Sequence, residues 1–254
     1  MPQTRELPTI SSFTLRFFRR IVRGYFRRHF RAVSVQGAER LAAASGPLIV
    51  YGNHSSWWDP MVSVLLAGAL LPGRNHYAPM DADALKRYPI LRRIGIFPVE
   101  MSSARGAAQF LRTSQAILAA GGVLWVTPQG RFADPREALA FKPGLEALAG
   151  RVPGVTLVPL AIEYTFWDER LPEVLLRVGE TVRAEANEQL EDALAKAMLE
   201  LKAAVIARDP KAFTSLLSGG RGTGGLYGLG RRLRGWITRK PVAMDHTKRG
   251  ELSE

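Results

Sequence analysis

The pattern of apolar and polar positions divides the chain into short strands and amphipathic helices. In residues 12–33, SFTLRFFRRIVRGYFRRHFRAV, apolar side chains recur at steps of three and four. Phe13, Phe17, Ile21 and Tyr25 form one such series, and Phe18, Val22, Phe26 and Phe30 another, so the segment is expected to be a helix. GPLIVYGN reads as a short strand. Asp59-Pro60 is a helix start, with Asp at the N-cap and Pro at the first helical position, and MVSVLLAGALL continues as a buried helix. A second strand follows Gly95 in LRRIGIFPVE. Residues 103–120 form a helix with Ala107, Phe110, Leu111, Ile117 and Leu118 on its apolar side. GGVLWVTPQG is a third strand closed by Pro128 and Gly130, KPGLEALAG a helix, GVTLVPLAIEY a fourth strand and LLRVGETV a fifth. Residues 185–207 give an amphipathic helix ended by Asp209-Pro210.

Strands that alternate with helices predict an α/β protein: a mixed, mainly parallel sheet with helices on both faces, preceded by an N-terminal amphipathic helix. The 254 residues suffice for one substantial domain, and no Gly/Ser- or Pro-rich linker interrupts residues 35–210. The expected organisation is a basic membrane-surface segment over 1–33, one domain over 34–210 and a basic, glycine-rich tail over 211–254.

Charge sharpens this division. Residues 1–40 carry nine Lys/Arg and two acids, residues 41–218 eighteen of each, and residues 219–254 eight basic and three acidic. The whole net charge of +12 therefore sits on the two ends of a neutral body. A basic body would suggest a groove for nucleic acid; basic ends suggest attachment arms. Between Ser12 and Val33, seven arginines interleave with six aromatic residues, the composition of a helix lying in the headgroup layer of an anionic membrane. The same residues also fit a basic helix packed on the body with its aromatics in the core. LYGLGRRLRGWI in the tail reads as a second, weaker interfacial segment. The longest apolar run, Met61 to Leu71, is about half of the roughly 20 residues that span a bilayer. Arginines interrupt every apolar stretch near the N-terminus, so no signal peptide is read there. The expected location is peripheral, on the cytoplasmic face of a membrane.

The chain has no cysteine, which excludes disulfides, thiolate catalysis and cysteine-ligated zinc. The glycine-rich tail has neither the strand–GxGxxG–helix setting nor a P-loop lysine, which excludes those two nucleotide sites. The candidate chemistry lies in YGNHSSWWDP, residues 51–60. His54 stands just past a strand, where open α/β sheets bind ligands. Asp59 has two compatible readings: a helix cap, or a carboxylate that accepts from the imidazole, fixes its tautomer and raises its basicity.

NHSSWWD, GIFPVEM, VTPQGRF and LVPLAIEY occur in this order and, with the intervening FKPGLEALA, resemble the four sequence blocks of the glycerolipid acyltransferase family over residues 33–170. The resemblance implies that His54 is a general base acting on an acceptor hydroxyl and that Asp59 orients it. It also implies direct attack on an acyl thioester, from acyl-CoA or acyl carrier protein, without a covalent enzyme intermediate, a metal or a further cofactor. Asn53, Gln129 and Gly130 fall at substrate-binding positions, and backbone N–H groups after Asn53 would serve the oxyanion.

Two positions depart from the family's pattern. Where the second block usually ends in an arginine for the acceptor's phosphate, this chain has Met101 preceded by Glu100. Where the third block usually reads Pro-Glu-Gly, it has Pro128-Gln129-Gly130. Arg131 and Arg105 are the candidates to replace the missing cation. The expected acceptor is 1-acylglycerol-3-phosphate in phospholipid biosynthesis, with a phosphate-free or glycosylated lipid alcohol as the alternative. A non-catalytic lipid- or nucleic-acid-binding module is the alternative from another class. Expected partners are membrane lipids, an anionic membrane surface and, for the donor, acyl carrier protein, with no nucleic acid.

Overall fold

A computed structural model describes residues 7–101, 103–183 and 190–220. The chain begins with α1 (Ser12–His29), β1 (Ala32–Gln36), α2 (Ala38–Ala42), β2 (Leu48–Gly52) and α3 (Asp59–Leu70). It continues through β3 (His76–Asp81), α4 (Ala82–Arg87), β4 (Ile96–Val99), α5 (Ala104–Ala119) and β5 (Val123–Val126). The remainder is α6 (Gly144–Ala149), β6 (Thr156–Thr165), β7 (Glu173–Val178), β8 (Val182–Arg183), α7 (Leu190–Ala207) and β9 (Thr214–Ser218).

The strands form one nine-stranded sheet in the order β4-β3-β5-β2-β6-β7-β1-β9, with β8 paired to β6. Pairings among β4, β3, β5, β2 and β6 are all parallel. β1 pairs parallel with β7, while β6–β7, β6–β8 and β1–β9 are antiparallel. The sheet is therefore mixed and mainly parallel, as the alternation of elements predicts.

The central strands are buried on both faces, so they read as continuous apolar runs rather than alternating ones. In β2, Leu48 and Val50 pack with Val62 and Leu66 of α3 and with Val22 and Phe26 of α1. Ile49 and Tyr51 point the other way, to Ile117 of α5, Leu148 of α6 and Leu194 of α7. The period of two along one strand thus fills two separate cores.

Helix α1 starts at Ser11, whose side chain accepts from the Thr14 N–H at 3.3 Å, and ends in Arg27, Arg28 and His29, cations that suit a helix C-terminus. Its two apolar series have different fates. Val22, Phe26 and Phe30 are buried against α3 and the sheet, whereas Phe13, Phe17, Ile21 and Tyr25 are exposed. Packing on the body and presenting an apolar outer face are both properties of this one helix.

Three strands were not evident in the sequence: β1, β3 and β9. HYAPMD in β3 mixes polar residues and Pro79 into a strand interior, and TSLLS in β9 has only two apolar positions. The expected fifth strand divides at Gly179-Glu180 into β7 and β8. The sheet also runs beyond both expected domain limits. Ala32 and Val33 belong to β1, and β9 lies past residue 210 but is hydrogen-bonded to β1. The tail segment read as a second interfacial element lies outside the described residues, and among those described no helix is long and apolar enough to cross a membrane.

Candidate active site

Three parallel strands deliver the site at their carboxyl ends. β2 ends at Gly52, where a Cβ would stand 2.7 Å from the Leu160 carbonyl oxygen; the close approach to β6 therefore needs glycine. Asn53 follows, 2% exposed. Its Nδ2 donates to the Ile162 carbonyl at 3.0 Å and its Oδ1 accepts from the Ile162 N–H at 2.9 Å. The side chain thus mimics one more residue of sheet ladder and locks the exit of β2 onto β6. Asn53, expected to touch substrate, has both amide atoms engaged in positioning its neighbour His54.

His54 is 16% exposed and its Nδ1 lies 2.8 Å from Asp59 Oδ2. Since an ionised carboxylate only accepts, Nδ1 carries the proton and Nε2 keeps a lone pair. Asp59, 2% exposed, is filled from three sides. Besides His54, Oδ2 accepts from the Ser56 N–H at 2.9 Å, and Oδ1 accepts from the Tyr164 hydroxyl at 2.6 Å. The expected capping role of Asp59 is corrected by this geometry. Trp58 holds the N-cap position in a right-handed conformation (φ −76°, ψ −19°) with no side-chain cap bond, and Asp59 is the first residue of α3. Its carboxylate turns back toward the loop, because the donors that satisfy it lie there and on β6. The positive end of α3 still favours its charge.

Gln129 comes from the end of β5. It is 7% exposed, and its Oε1 accepts from the His54 N–H at 3.3 Å. A carboxylate there would accept the same bond, so the departure from the family's glutamate keeps the acceptor while removing a charge. Gly130 closes a turn onto Thr127 with φ 64°. A Cβ on Gly130 would lie 2.8 Å from Cε and 3.0 Å from Nζ of Lys142, so the lysine stem covers this glycine.

The two candidate arginines have different settings. Arg131 is exposed, pairs with Glu137 at 2.6 Å and donates to the Phe132 carbonyl at 3.1 Å. Arg105 lies in the first turn of α5, exposed and without an ion pair among the described residues. Both stand at the carboxyl edge of the sheet, but α5 follows β4, three strands away from β2. At ~4.8 Å per strand that is roughly 14 Å of lateral separation. Arg131 follows β5, the immediate neighbour of β2, so the structure brings Arg131, Gln129 and Gly130 to His54 and leaves Arg105 with Met101 at the far side.

The two tryptophans divide. Trp57 is 59% exposed, whereas Trp58 packs against Phe26 and Phe30 at centroid distances of 5.4 and 4.9 Å. Phe132, exposed at the surface, lies over the His54 ring at 4.2 Å and 35°.

Sequence reasoning missed Tyr164, Phe132 and Lys142. For Tyr164 the signal existed: counting in twos from Val158 along β6 puts it on the face that meets α3. Burial, and then the adjacent Asp59 charge, raise its phenol well above the ordinary value, so it stays a donor. For Phe132 and Lys142 there was no periodicity to read, because both lie in the irregular segment between β5 and α6. Among the described residues no group of His, Asp and Glu is arranged to hold a metal ion.

A buried carboxylate aligning an imidazole whose second nitrogen is open suits proton abstraction from a hydroxyl. The family model for acyltransferases matches residues 32–163. No curated protein sequence matches. Among solved structures, the 1-acyl-sn-glycerophosphate (LPA) acyltransferase PlsC from Thermotoga maritima superposes with a TM-score of 0.55. It shares 18% sequence identity, over 75% of this chain and 79% of that one, and so shows a common fold. The chain belongs to the acyltransferase family and is an O-acyltransferase with a PlsC-like fold.

Proposed function

We propose that the enzyme moves a fatty acyl group from an acyl thioester to the hydroxyl of a membrane lipid, with 1-acylglycerol-3-phosphate as the first acceptor to test and acyl-CoA or acyl carrier protein as donor. The observation that carries this reading is the 2.8 Å contact of His54 Nδ1 with a buried, fully bonded Asp59. Nε2 takes the proton of the acceptor hydroxyl as its oxygen attacks the thioester carbonyl. The tetrahedral oxyanion collapses, the C–S bond breaks, and the departing sulfur receives the proton from Nε2. An ester and a free thiol result, and the balance needs no metal or further cofactor.

The N–H groups of His54, Ser56, Trp58 and Asp59 already donate to Gln129, Asp59, Ser56 Oγ and the Ser56 carbonyl. Among the described residues those of Ser55 and Trp57 have no acceptor, which leaves them as the candidates to donate to an oxyanion. The solved relative from Thermotoga maritima is a 1-acyl-sn-glycerophosphate acyltransferase, which supports the same class of acceptor here. Arg131, with Arg105 as the more distant candidate, would then supply the cation for its phosphate. Met101 beside Glu100 favours the second reading, an uncharged or glycosylated lipid alcohol.

The surface around the site suits a peripheral enzyme on the cytoplasmic face of an anionic membrane. Phe13, Phe17, Ile21 and Tyr25 of α1 are exposed. Phe13 and Phe17 line an open cleft of about 890 Å³ together with Arg16, Arg19, Arg20, Arg23 and Arg27. The cleft does not include His54 or Asp59, so it belongs to attachment rather than to chemistry. Thiol release from acyl-CoA and from acyl-loaded carrier protein, measured over a panel of lysolipids and lipid alcohols with mass spectrometry of the products, tests the assignment. A wild-type protein that acylates none of them while staying folded would overturn it.

A further inference from the structure

A carboxylate that orients an imidazole must itself be kept from rotating. In this site Oδ2 of Asp59 holds His54 Nδ1 and the Ser56 N–H, while among the described residues Oδ1 is held only by the Tyr164 hydroxyl, at 2.6 Å. Tyr164 is well placed to act as a fixed point. It lies in the antiparallel ladder of β6 with β7, opposite Val174. Its ring lies 6.0 Å from that of Phe30, which follows α1. Its position is therefore set by elements far from the His54 loop in sequence.

We propose that Tyr164 is a positioning residue of the acyl-transfer site, whose hydroxyl fixes the Asp59 carboxylate and shares its charge so that Oδ2 is held toward His54. This rests on the reading of His54 as general base. The phenol remains protonated, because burial and the Asp59 charge both oppose its ionisation, so it donates and does not act as a base. The other groups near Asp59 do not duplicate the role. Ser56 bonds Oδ2 rather than Oδ1, and the rings of Tyr25 and His29 on α1 approach Trp58, at 6.3 and 5.8 Å.

If Tyr164 only filled space, phenylalanine would serve equally well. Tyr164→Phe removes a single oxygen and keeps the ring, so circular dichroism should stay native, while the melting temperature falls because Oδ1 of a buried carboxylate loses its donor. The expected kinetic result is a kcat about tenfold lower with KM for donor and acceptor unchanged, the scale for losing a hydrogen bond to a charged group. The second readout is NMR titration of the imidazole resonance assigned by His54→Gln. With the Asp59 charge no longer shared, the imidazolium is better stabilised, so the resonance should titrate at higher pH in Tyr164→Phe than in wild type. This readout needs only folded protein, so it tests the positioning even if no acceptor is turned over, and it separates that failure from this one. An unchanged titration overturns the proposal whatever happens to turnover, and so does a shifted titration with wild-type kcat.

Discussion

Phe30, the first residue after α1, meets the Trp58 indole edge-on, with ring centroids 4.9 Å apart and planes at 88°. Trp58 immediately precedes Asp59, so the N-terminal helix braces the residue beside the Asp59 carboxylate. Edge-to-face aromatic pairs of this kind contribute roughly 0.5–1.5 kcal/mol beyond the area they bury.

The basic N-terminal segment is therefore not a removable arm. Deleting residues 1–33 would strip Val22, Phe26 and Phe30 from the core and cut into β1. The expected outcome is loss of folded protein, or of activity even toward a soluble short-chain acceptor. Phe30→Ala alone should cost on the order of 3–5 kcal/mol in denaturant unfolding.

Attachment is better tested on the outer face. Replacing Phe13, Phe17 and Ile21 by serine, or Arg16, Arg20 and Arg23 by glutamine, leaves the buried face of α1 intact. Each set should weaken sedimentation with anionic vesicles while melting temperature and turnover of a soluble acceptor hold. Each arginine is expected to contribute on the order of 1 kcal/mol at low salt, less as salt rises. Equal vesicle binding by wild type and both variants would remove α1 from the membrane contact.

His54→Ala should lower kcat by about 10²–10⁴ with little change in stability, since the imidazole is an incompletely buried loop side chain. Asp59→Asn differs from a simple cap replacement. The three groups around Asp59 are all donors, and an amide offers one acceptor oxygen and a second group that donates. The amide NH2 therefore either faces a donor or makes the Tyr164 hydroxyl or His54 Nδ1 turn acceptor, and the latter moves the imidazole proton to Nε2. The variant is expected to lose activity together with about 1–3 kcal/mol of stability, read by thermal or urea unfolding.

The proposed phosphate acceptor is tested at Arg131 and Arg105. Arg131→Ala should raise KM for lysophosphatidate about tenfold or more and leave an uncharged lipid alcohol unaffected. Arg105→Ala, farther along the sheet edge, should have the smaller effect. If both are silent and the uncharged acceptor is the better substrate, the phosphate site has no counterpart here.

Stability should fall on the acid side through His76. Burial foremost, with Arg19 and Arg74 nearby, lowers its pKa from 6.5 to about 4. The neutral ring is held by Nε2 with the Leu71 carbonyl, at 3.1 Å, and by the Trp125 indole N–H donating to Nδ1, also at 3.1 Å. The unfolded chain takes up a proton near pH 6.5 and the folded one does so only near 4. The contribution is complete above 6.5 and is lost as pH falls through that window, on the order of 3 kcal/mol in all. Urea unfolding between pH 7 and 4 should show a shallower decline for His76→Gln than for wild type.

By itself the sequence determined the fold class and the helices with strong periodicity, which depend on local spacing with a period of two or of three to four. The pairing of His54 with Asp59 is implied by the resemblance of NHSSWWD to the family's first block, since the residues alone leave Asp59 open between helix cap and imidazole partner. Gln129 and Gly130 are singled out through the resemblance of VTPQGRF to the family's third block. Only the tertiary structure decided which series of α1 is buried, since both Val22–Phe26–Phe30 and Phe13–Phe17–Ile21 satisfy the same helical period. It likewise decided that Asp59 turns away from its helix, that Asn53 is engaged by Ile162, and that Tyr164, 105 residues further along, closes the carboxylate's second oxygen. Those outcomes depend on which strands lie side by side, β2 beside β6 and β5, and strand order arises from burial and hydrogen bonding across the whole sheet rather than from any local pattern.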